Sequence, residues 1–543
     1  MPVFLFFWLV IFFIYLPTAH AGRVGDFPGW VETIHTKSFF DYINRMQFAS
    51  HSFYQFTQIV TYLFYQVFGA SAWPWHLLHV SLQAVNALLL FTFFRKLFTN
   101  AAVQNAALTA FLGSLLFCLT PQISEVVVWE PAFHYLLGLL LMLTVLHCTQ
   151  QFLLTQKTQY AWWGGVIFFL STYSLEVFYL TPVFTATLAV YYCTALNYPK
   201  RLLKRALICF TIPQLFFFLV HSILLHLVYH ENVAHIGSTT LFSAFNFSKS
   251  LKYIFHVLFF GRFFNASIRN NVYHFCESGL GLSLFYGLLA VVFAFTVARY
   301  HRYKNSSKAT ALLLLWTALS FALLLPLWFP DSGIVVYDRY TYQPNAFLFI
   351  ILALLLNNTF RKPIFITIMV LYGLINIRFT HKVNAYWQQS AGIVNNLVAT
   401  FPNDPSKKVL LLNLPECMDG VQMVGARDVE FKMMYNAIMP HKITNTVYDV
   451  EAFYMRGTSD GAHVKVINDS TVEVTLNQWA TWWMYYDYGA YDYQTPDYKV
   501  LMKDMGHWYY LILKHPASEY LLLYNIGDQW RKVDFDKKNV EQY

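Results

Sequence analysis

Charge is scarce in this chain. Only 12% of its 543 residues are Asp, Glu, Lys or Arg, against about a quarter in soluble globular proteins, which excludes an ordinary water-soluble domain. Cysteine is scarcer still: six residues, too few for a disulfide-held scaffold. Cys118, Cys148, Cys193 and Cys209 lie inside apolar runs and read as packing residues, while Cys276 and Cys417 leave a single disulfide open. No CxxC or HExxH pattern occurs, so the common zinc signatures are missing. No 34-residue repeat or low-complexity tract occurs either, which excludes a tetratricopeptide array.

What is present is apolar length. Hydrophobic residues make up 57% of the chain and aromatics 19%, and apolar runs fall at 3–16, 74–94, 103–120, 133–154, 160–173, 177–195, 206–229, 280–298, 309–329, 343–359 and 363–377. Eleven such runs predict a polytopic α-helical membrane protein of about 11 spans. Arg95, Lys96, Lys157, Lys200, Arg201, Lys204, Arg205, Arg299, Arg302, Lys304, Lys308, Arg361 and Lys362 occupy short alternate loops, which are cytoplasmic by the positive-inside rule. The net charge of +8 then reports topology, and no nucleic-acid partner is needed to explain it. An odd span count puts the amino terminus in the cytoplasm and the carboxy-terminal region outside. Ala19-His20-Ala21 resembles a signal cleavage site, but Met1-Pro2-Val3-Phe4 has no positive charge, so the first run is read as a retained helix.

Residues 17–73 and 230–279 form two long outer loops, and Phe53 to Phe68 within the first has the spacing of an interfacial amphipathic helix. The expected organisation is a membrane domain over 1–377, an amphipathic connecting helix over 378–402 centred on Ala385 to Phe401, and an outer soluble domain over 403–543. Lys408 to Asn413 reads as a buried strand. His463–Ile467 and Thr471–Leu476 alternate around Asn468-Asp469-Ser470 as a hairpin, and Tyr520–Tyr524 pairs similarly with Gln529–Asp534. The domain is therefore expected to be mixed but mostly β. Its aromatic tract, Trp479 to Tyr488 with Tyr491, Tyr493 and Tyr498, reads first as core and second as a sugar-stacking surface.

The acids recur where helices meet the outer face: Asp26, then Glu125 and Glu130, then Glu176, then Asp338. Acids in so apolar a chain are costly and tend to mark function. Each also has a bland reading. Asp26 would cap a helix or pair with Arg23, Glu125 would cap the next helix, Glu176 would sit at a helix junction, and Asp338 would form a surface pair with Arg339. Glu125 and Glu130 lie close to Trp129 and His134, which favours a site. Arg339 is the lone base of its loop, and a guanidinium fork matches phosphate oxygens. His221 and His226 read as histidines satisfied by neighbouring helices, and His76 and His79 as residues of which one or both face a cavity.

The order of Gly25-Asp26-Phe27-Pro28-Gly29-Trp30, Trp75-His76-Leu77-Leu78-His79 with Asn86, Thr120-Pro121-Gln122-Ile123-Ser124-Glu125-Val126-Val127-Val128-Trp129, Ser174-Leu175-Glu176 with Pro182, and Asp338-Arg339-Tyr340-Thr341-Tyr342-Gln343-Pro344 resembles the GT-C membrane glycosyltransferases. The nearest branch is the TPR-containing protein O-mannosyltransferases and their bacterial relatives. Thr120 to Trp129 is similar to an HPxxTEAVAW-like stretch, and Asp338 to Pro344 to an ERYxYLP-like one. The likeness covers roughly 1–360. It departs at Leu175, where the branch has Lys, at Thr120, where it has His, and at Phe133, where it has Arg. Asp26 stands alone where paired acids are usual, and no TPR array follows.

The resemblance implies an inverting transferase in the inner, cytoplasmic membrane. It would move a sugar from a polyprenyl-(di)phosphate carrier to a hydroxyl on the outer face, with protein Ser/Thr as the first acceptor. A lipid or envelope glycan is the alternative acceptor, and a carrier or flippase without chemistry the alternative class. Asp26 would be the general base and Arg339 the donor phosphate ligand. Glu125, Glu130, His134, Glu176 and Asp338 would orient donor or acceptor. For a diphosphate donor, Asp26, Glu125, Glu130 and His134 are candidates to hold Mg2+ or Mn2+.

Overall fold

A computed structural model describes residues 1–45, 54–229, 247–284, 287, 304–322, 338–424, 430–477, 481–482, 492–504 and 507–543. Most of the run at 280–298, Val336-Tyr337, and most of the aromatic tract from Trp479 to Tyr491 lie outside the described residues. The chain divides into two compact units. A helical unit comprises Met1–Leu16, Phe39–Val127 and Ala132–His381. A C-terminal unit comprises Lys382–Tyr543 together with two outlying pieces, Pro17–Ser38 and Val128–Pro131.

Among the described residues, five helices are long and apolar enough to cross a membrane: Ala72–Asn100, Glu130–Thr155, Lys200–Val228, Asp338–Thr359 and Lys362–Ala399. A sixth is reached if Ala106–Leu119 and Pro121–Val128 count together as one span bent by 58°. Pro121 explains the bend. Proline has no N–H to continue the ladder, and it pushes the residue before it out of the helical region. Thr120 is accordingly extended, at φ −69° and ψ 135°. Shorter apolar helices cover Pro2–Thr18 and Ser307–Phe321.

Helix Tyr342–Thr359 packs against Ala106–Leu119 at Gly113, where an added Cβ would come within 3.1 Å of the Phe349 carbonyl. Phe93, Phe184, Trp316 and Phe347 interlock nearby, with the Trp316 and Phe347 ring centroids 5.3 Å apart. Lys200–Val228 is different: Ile212, Phe216, Leu219 and Leu227 are all more than half exposed. An apolar face of that extent is compatible with a lipid surround.

The sequence reads a span at 363–377 and a separate helix from Ala385, but the structure has one helix, Lys362–Ala399. Arg378 to Asn384 are mostly polar and hold no Pro or Gly, and polarity alone does not break a helical ladder. In the first outer loop, Gln55–Phe68 is helical, with Thr57, Gln58 and Thr61 on its buried side and Leu63 and Val67 exposed.

The C-terminal unit is mostly β. A four-stranded sheet runs Gln529–Lys532, Tyr520–Ile526, Lys408–Leu411, Val447–Asp449, with Lys408–Leu411 parallel to both neighbours at its centre. Such a strand is buried on both faces, which is why it reads as an unbroken apolar run. A six-stranded sheet contains the hairpin of Ala462–Asn468 with Thr471–Leu476, in the register His463 to Thr475. Val421–Gln422, Leu414–Met418, Ala452–Met455 and Thr481–Trp482 form a third sheet. Asn413 and Asn525 join reciprocally: the Asn413 amide donates to the Asn525 carbonyl at 3.0 Å, and Asn525 N–H donates to Asn413 Oδ1 at 2.9 Å. Cys417 is buried on strand Leu414–Met418.

Pro17–Ser38 belongs to this unit. Its helix, Phe27–Thr36, buries Phe27, Trp30, Val31 and Ile34 and packs against helix Glu430–Ile438. Gly25 N–H donates to the Met423 carbonyl at 2.7 Å.

Candidate functional site

The bend at Pro121 carries Glu125 on the short helix Ser124–Val128, inside the helical unit. Facing it is the 3-10 turn Asp338–Thr341, which leads into helix Tyr342–Thr359. Arg339 meets Glu125 twice: its backbone N–H donates to Oε2 at 2.8 Å, and its Nη1 pairs with Oε1. The guanidinium lies 5.2 Å from the centre of the Tyr340 ring.

Asp338 does not pair with its neighbour. One carboxylate oxygen takes His256 Nε2 at 2.6 Å and the other takes Arg262 Nη1 at 2.5 Å. The turn is braced by Thr341 Oγ1, which donates to the Asp338 carbonyl at 2.8 Å, and by Asn345 Nδ2, which donates to Thr341 Oγ1 at 2.9 Å. Gln122 Nε2 donates to the His256 carbonyl at 3.0 Å, tying the bend to helix Phe247–Leu258. Two acids and two guanidinium groups balance formally. Buried ions are tolerated only when each has such a partner, because the desolvation of a lone one costs several kcal/mol. Burial is not uniform across the cluster: the Arg339 side chain is 14% exposed, against 4% for Arg262 and 0% for His256.

Arg262 and His256 escape the sequence reading. Arg262 is the only charge in Phe259-Phe260-Gly261-Arg262-Phe263-Phe264, the same lone-base signal that singles out Arg339. His256 follows Lys252 by one helical turn. The turn that presents Arg262 is tight, since a Cβ on Gly261 would come within 2.7 Å of the Phe255 ring.

Asp26 and Glu130 belong to the C-terminal unit. Asp26 is exposed at the start of helix Phe27–Thr36. Its carbonyl accepts from Trp30 N–H at 3.1 Å, and its side chain makes no capping bond. Gly25 before it sits in the left-handed region at φ +59°, with the Trp129 ring 3.4 Å from where a Cβ would stand, and Trp129 Nε1 donates to the Val24 carbonyl at 2.9 Å. That conformation favours glycine there. Glu130 is buried at 4% exposure, and its Oε2 has no hydrogen-bond partner among the described residues.

His134, in the helical unit, stacks on Tyr54 with centroids 5.8 Å apart and planes 21° from parallel. Glu176 opens the 3-10 turn Glu176–Phe178, and its side chain is outside the described residues. His79 Nδ1 lies 3.1 Å from the Val126 carbonyl, and His221 meets the Tyr179 hydroxyl. The sequence-predicted residues that the structure brings together in the helical unit are thus Glu125, Asp338 and Arg339. Among the described residues no three His, Cys, Asp or Glu side chains gather as a metal site requires.

The cluster can hold an anion at its more open guanidinium while Glu125 fixes that group's direction. Comparison with known proteins finds no family model that matches the chain, and no curated protein that matches it.

Proposed function

We propose that the chain is an inverting glycosyltransferase of the GT-C kind, with about 11 spans, working in the cytoplasmic membrane on a polyprenyl-(di)phosphate sugar. The amino terminus would lie in the cytoplasm and the C-terminal unit outside. The acceptor is a hydroxyl, first of all protein Ser/Thr. The observation that carries the reading is the buried Glu125–Arg339 pair at a bent apolar helix, with Arg339 the most exposed cation of its cluster. A guanidinium pre-oriented by a carboxylate in a water-poor site suits a leaving phosphate, whose charge grows as the sugar departs. Asp26, exposed where an acceptor can reach it, takes the hydroxyl proton. The acceptor oxygen then bonds to the anomeric carbon from the face opposite the phosphate, and the carbon–oxygen bond to phosphate breaks with its electron pair.

The test is sugar transfer by detergent-purified full-length protein from a panel of polyprenyl-phosphate and -diphosphate sugars. Wild type is compared with Asp26→Asn at matched thermal stability. Loss of the base should lower turnover about 10²–10⁴-fold. Transfer by Asp26→Asn at the wild-type rate removes Asp26 as base. No transfer from any donor by wild type favours carriage without chemistry, and transfer to lipid or glycan alone moves the acceptor class.

A further inference from the structure

The proposed transfer assigns roles to Asp26 and Arg339 and leaves His256 without one. We infer that His256 reads a hydroxyl of the sugar on the lipid-linked donor, an inference that rests on the transferase reading. His256 is fully buried, and its ring is fixed at one end by the 2.6 Å contact of Nε2 with Asp338 Oδ1. An ionised carboxylate can only accept, so Nε2 carries a proton. Asp338 is held in turn by Arg262, which keeps the acceptor of Nε2 in place, and Gln122 donates to the His256 backbone carbonyl.

The other ring nitrogen, Nδ1, is buried and has no hydrogen-bond partner among the described residues. Such an atom is costly unless something arrives to pair with it. In the neutral ring Nδ1 is an acceptor, and in the protonated ring it is a donor. A phosphate oxygen satisfies only the second state, whereas a hydroxyl, which both donates and accepts, satisfies either. The ligand that fits Nδ1 in both states is therefore the hydroxyl-bearing part of the donor, with Arg339 left to the phosphate. His256 is on this account a specificity residue.

The variant that separates the two ends of the ring is His256→Gln, whose amide nitrogen can replace Nε2 toward Asp338 while nothing replaces Nδ1. Binding of bare undecaprenyl phosphate, and of undecaprenyl phosphate carrying mannose, glucose or galactose, is measured on full-length protein. Wild type should bind one glycosylated carrier more tightly than the bare one. His256→Gln should lose roughly tenfold on that carrier, about the worth of one hydrogen bond, and nothing on the bare carrier. Equal discrimination by variant and wild type overturns the inference and assigns Nδ1 to a resident water.

If the variant does not fold, the wild type decides alone with deoxy-sugar carriers. One deoxy position should weaken binding about tenfold, and indifference to every position overturns the inference. Failure of wild type to bind any carrier, bare or glycosylated, removes the transferase reading itself and the inference with it.

Discussion

In the helical unit the Glu125 and Asp338 side chains are 4% and 3% exposed and each meets a guanidinium, whereas in the C-terminal unit Asp469 is 87% exposed beside Lys538 and Asp419 is 24% exposed beside Arg456. The same type of ion pair therefore has different weight in the two units. Where water reaches both partners, a pair contributes about 0–1 kcal/mol. Where neither is solvated, removing one partner leaves an uncompensated charge, at about 3–5 kcal/mol. The pairs around Asp338 and Glu125 thus lie where breaking them is costly, and the Asp469 and Asp419 pairs lie where it is not.

The largest effect expected from this contrast is at Asp338. Asp338→Ala removes the acceptor of both Arg262 and His256 and should destabilise by about 3–5 kcal/mol, read from the unfolding midpoint of detergent-purified protein. Asp469→Ala is the matched control and should shift stability by no more than about 0.5 kcal/mol. Similar losses in the two variants would erase the contrast between the units.

Much of the fold was legible in the chain because its signals are local. The hairpin turning at Asn468-Asp469-Ser470 follows from period-two alternation, and the buried strand at Lys408 from an unbroken apolar run. The bend at Pro121 is visible as a proline inside an apolar stretch. The cluster was only half legible, because its partners are far apart in sequence: Glu125 and Arg339 by 214 residues, His256 and Asp338 by 82. An acid and a base adjacent in sequence, Asp338 and Arg339, invite pairing on paper. Yet the first two residues of a 3-10 turn point their side chains in different directions, and each finds a separate partner. The grouping of Pro17–Ser38 with the C-terminal unit was hidden for the same reason, since it rests on Gly25 reaching Met423 and Trp129 reaching Val24.

Glu130 is one of the buried acids of the C-terminal unit, together with Glu416, Asp449, Glu451, Asp460 and Asp497. Its room comes from Gly22, where an added Cβ would run into the Val128 carbonyl and Glu130 Oε2. The side-chain oxygen could swing aside, but the backbone carbonyl could not without moving the Val128–Pro131 segment. Gly22→Ala should therefore cost about 1–3 kcal/mol, the range for overpacking a fitted site, measured by the same unfolding assay. If adding Glu130→Ala to Gly22→Ala restores nothing, the carbonyl is the obstacle. Full restoration would place the crowding in the carboxylate.

The smallest expected effect is one of pH, at Asp497 in the C-terminal unit. Burial works to raise the pKa of this carboxylate, but Lys408 Nζ and the Tyr448 hydroxyl, the latter at 2.5 Å, outweigh it and hold the pKa below the ordinary carboxylate value. A pKa lowered by folding means that the fold favours the ionised form. Its contribution is fully present above the unfolded value of about 3.9 and is lost as pH falls through the lower folded one. The Lys408 side chain is 39% exposed, so the pair has the modest weight of a solvated one, at most about 1 kcal/mol. Asp497→Asn should thus lie slightly below wild type in unfolding midpoint at pH 7, and the gap should close between about pH 4 and pH 2. A gap that stays constant with pH would mean that Asp497 acts as a hydrogen-bond acceptor whatever its charge. A gap as large as that of Asp338→Ala would mean that solvent exposure is not what separates the two units.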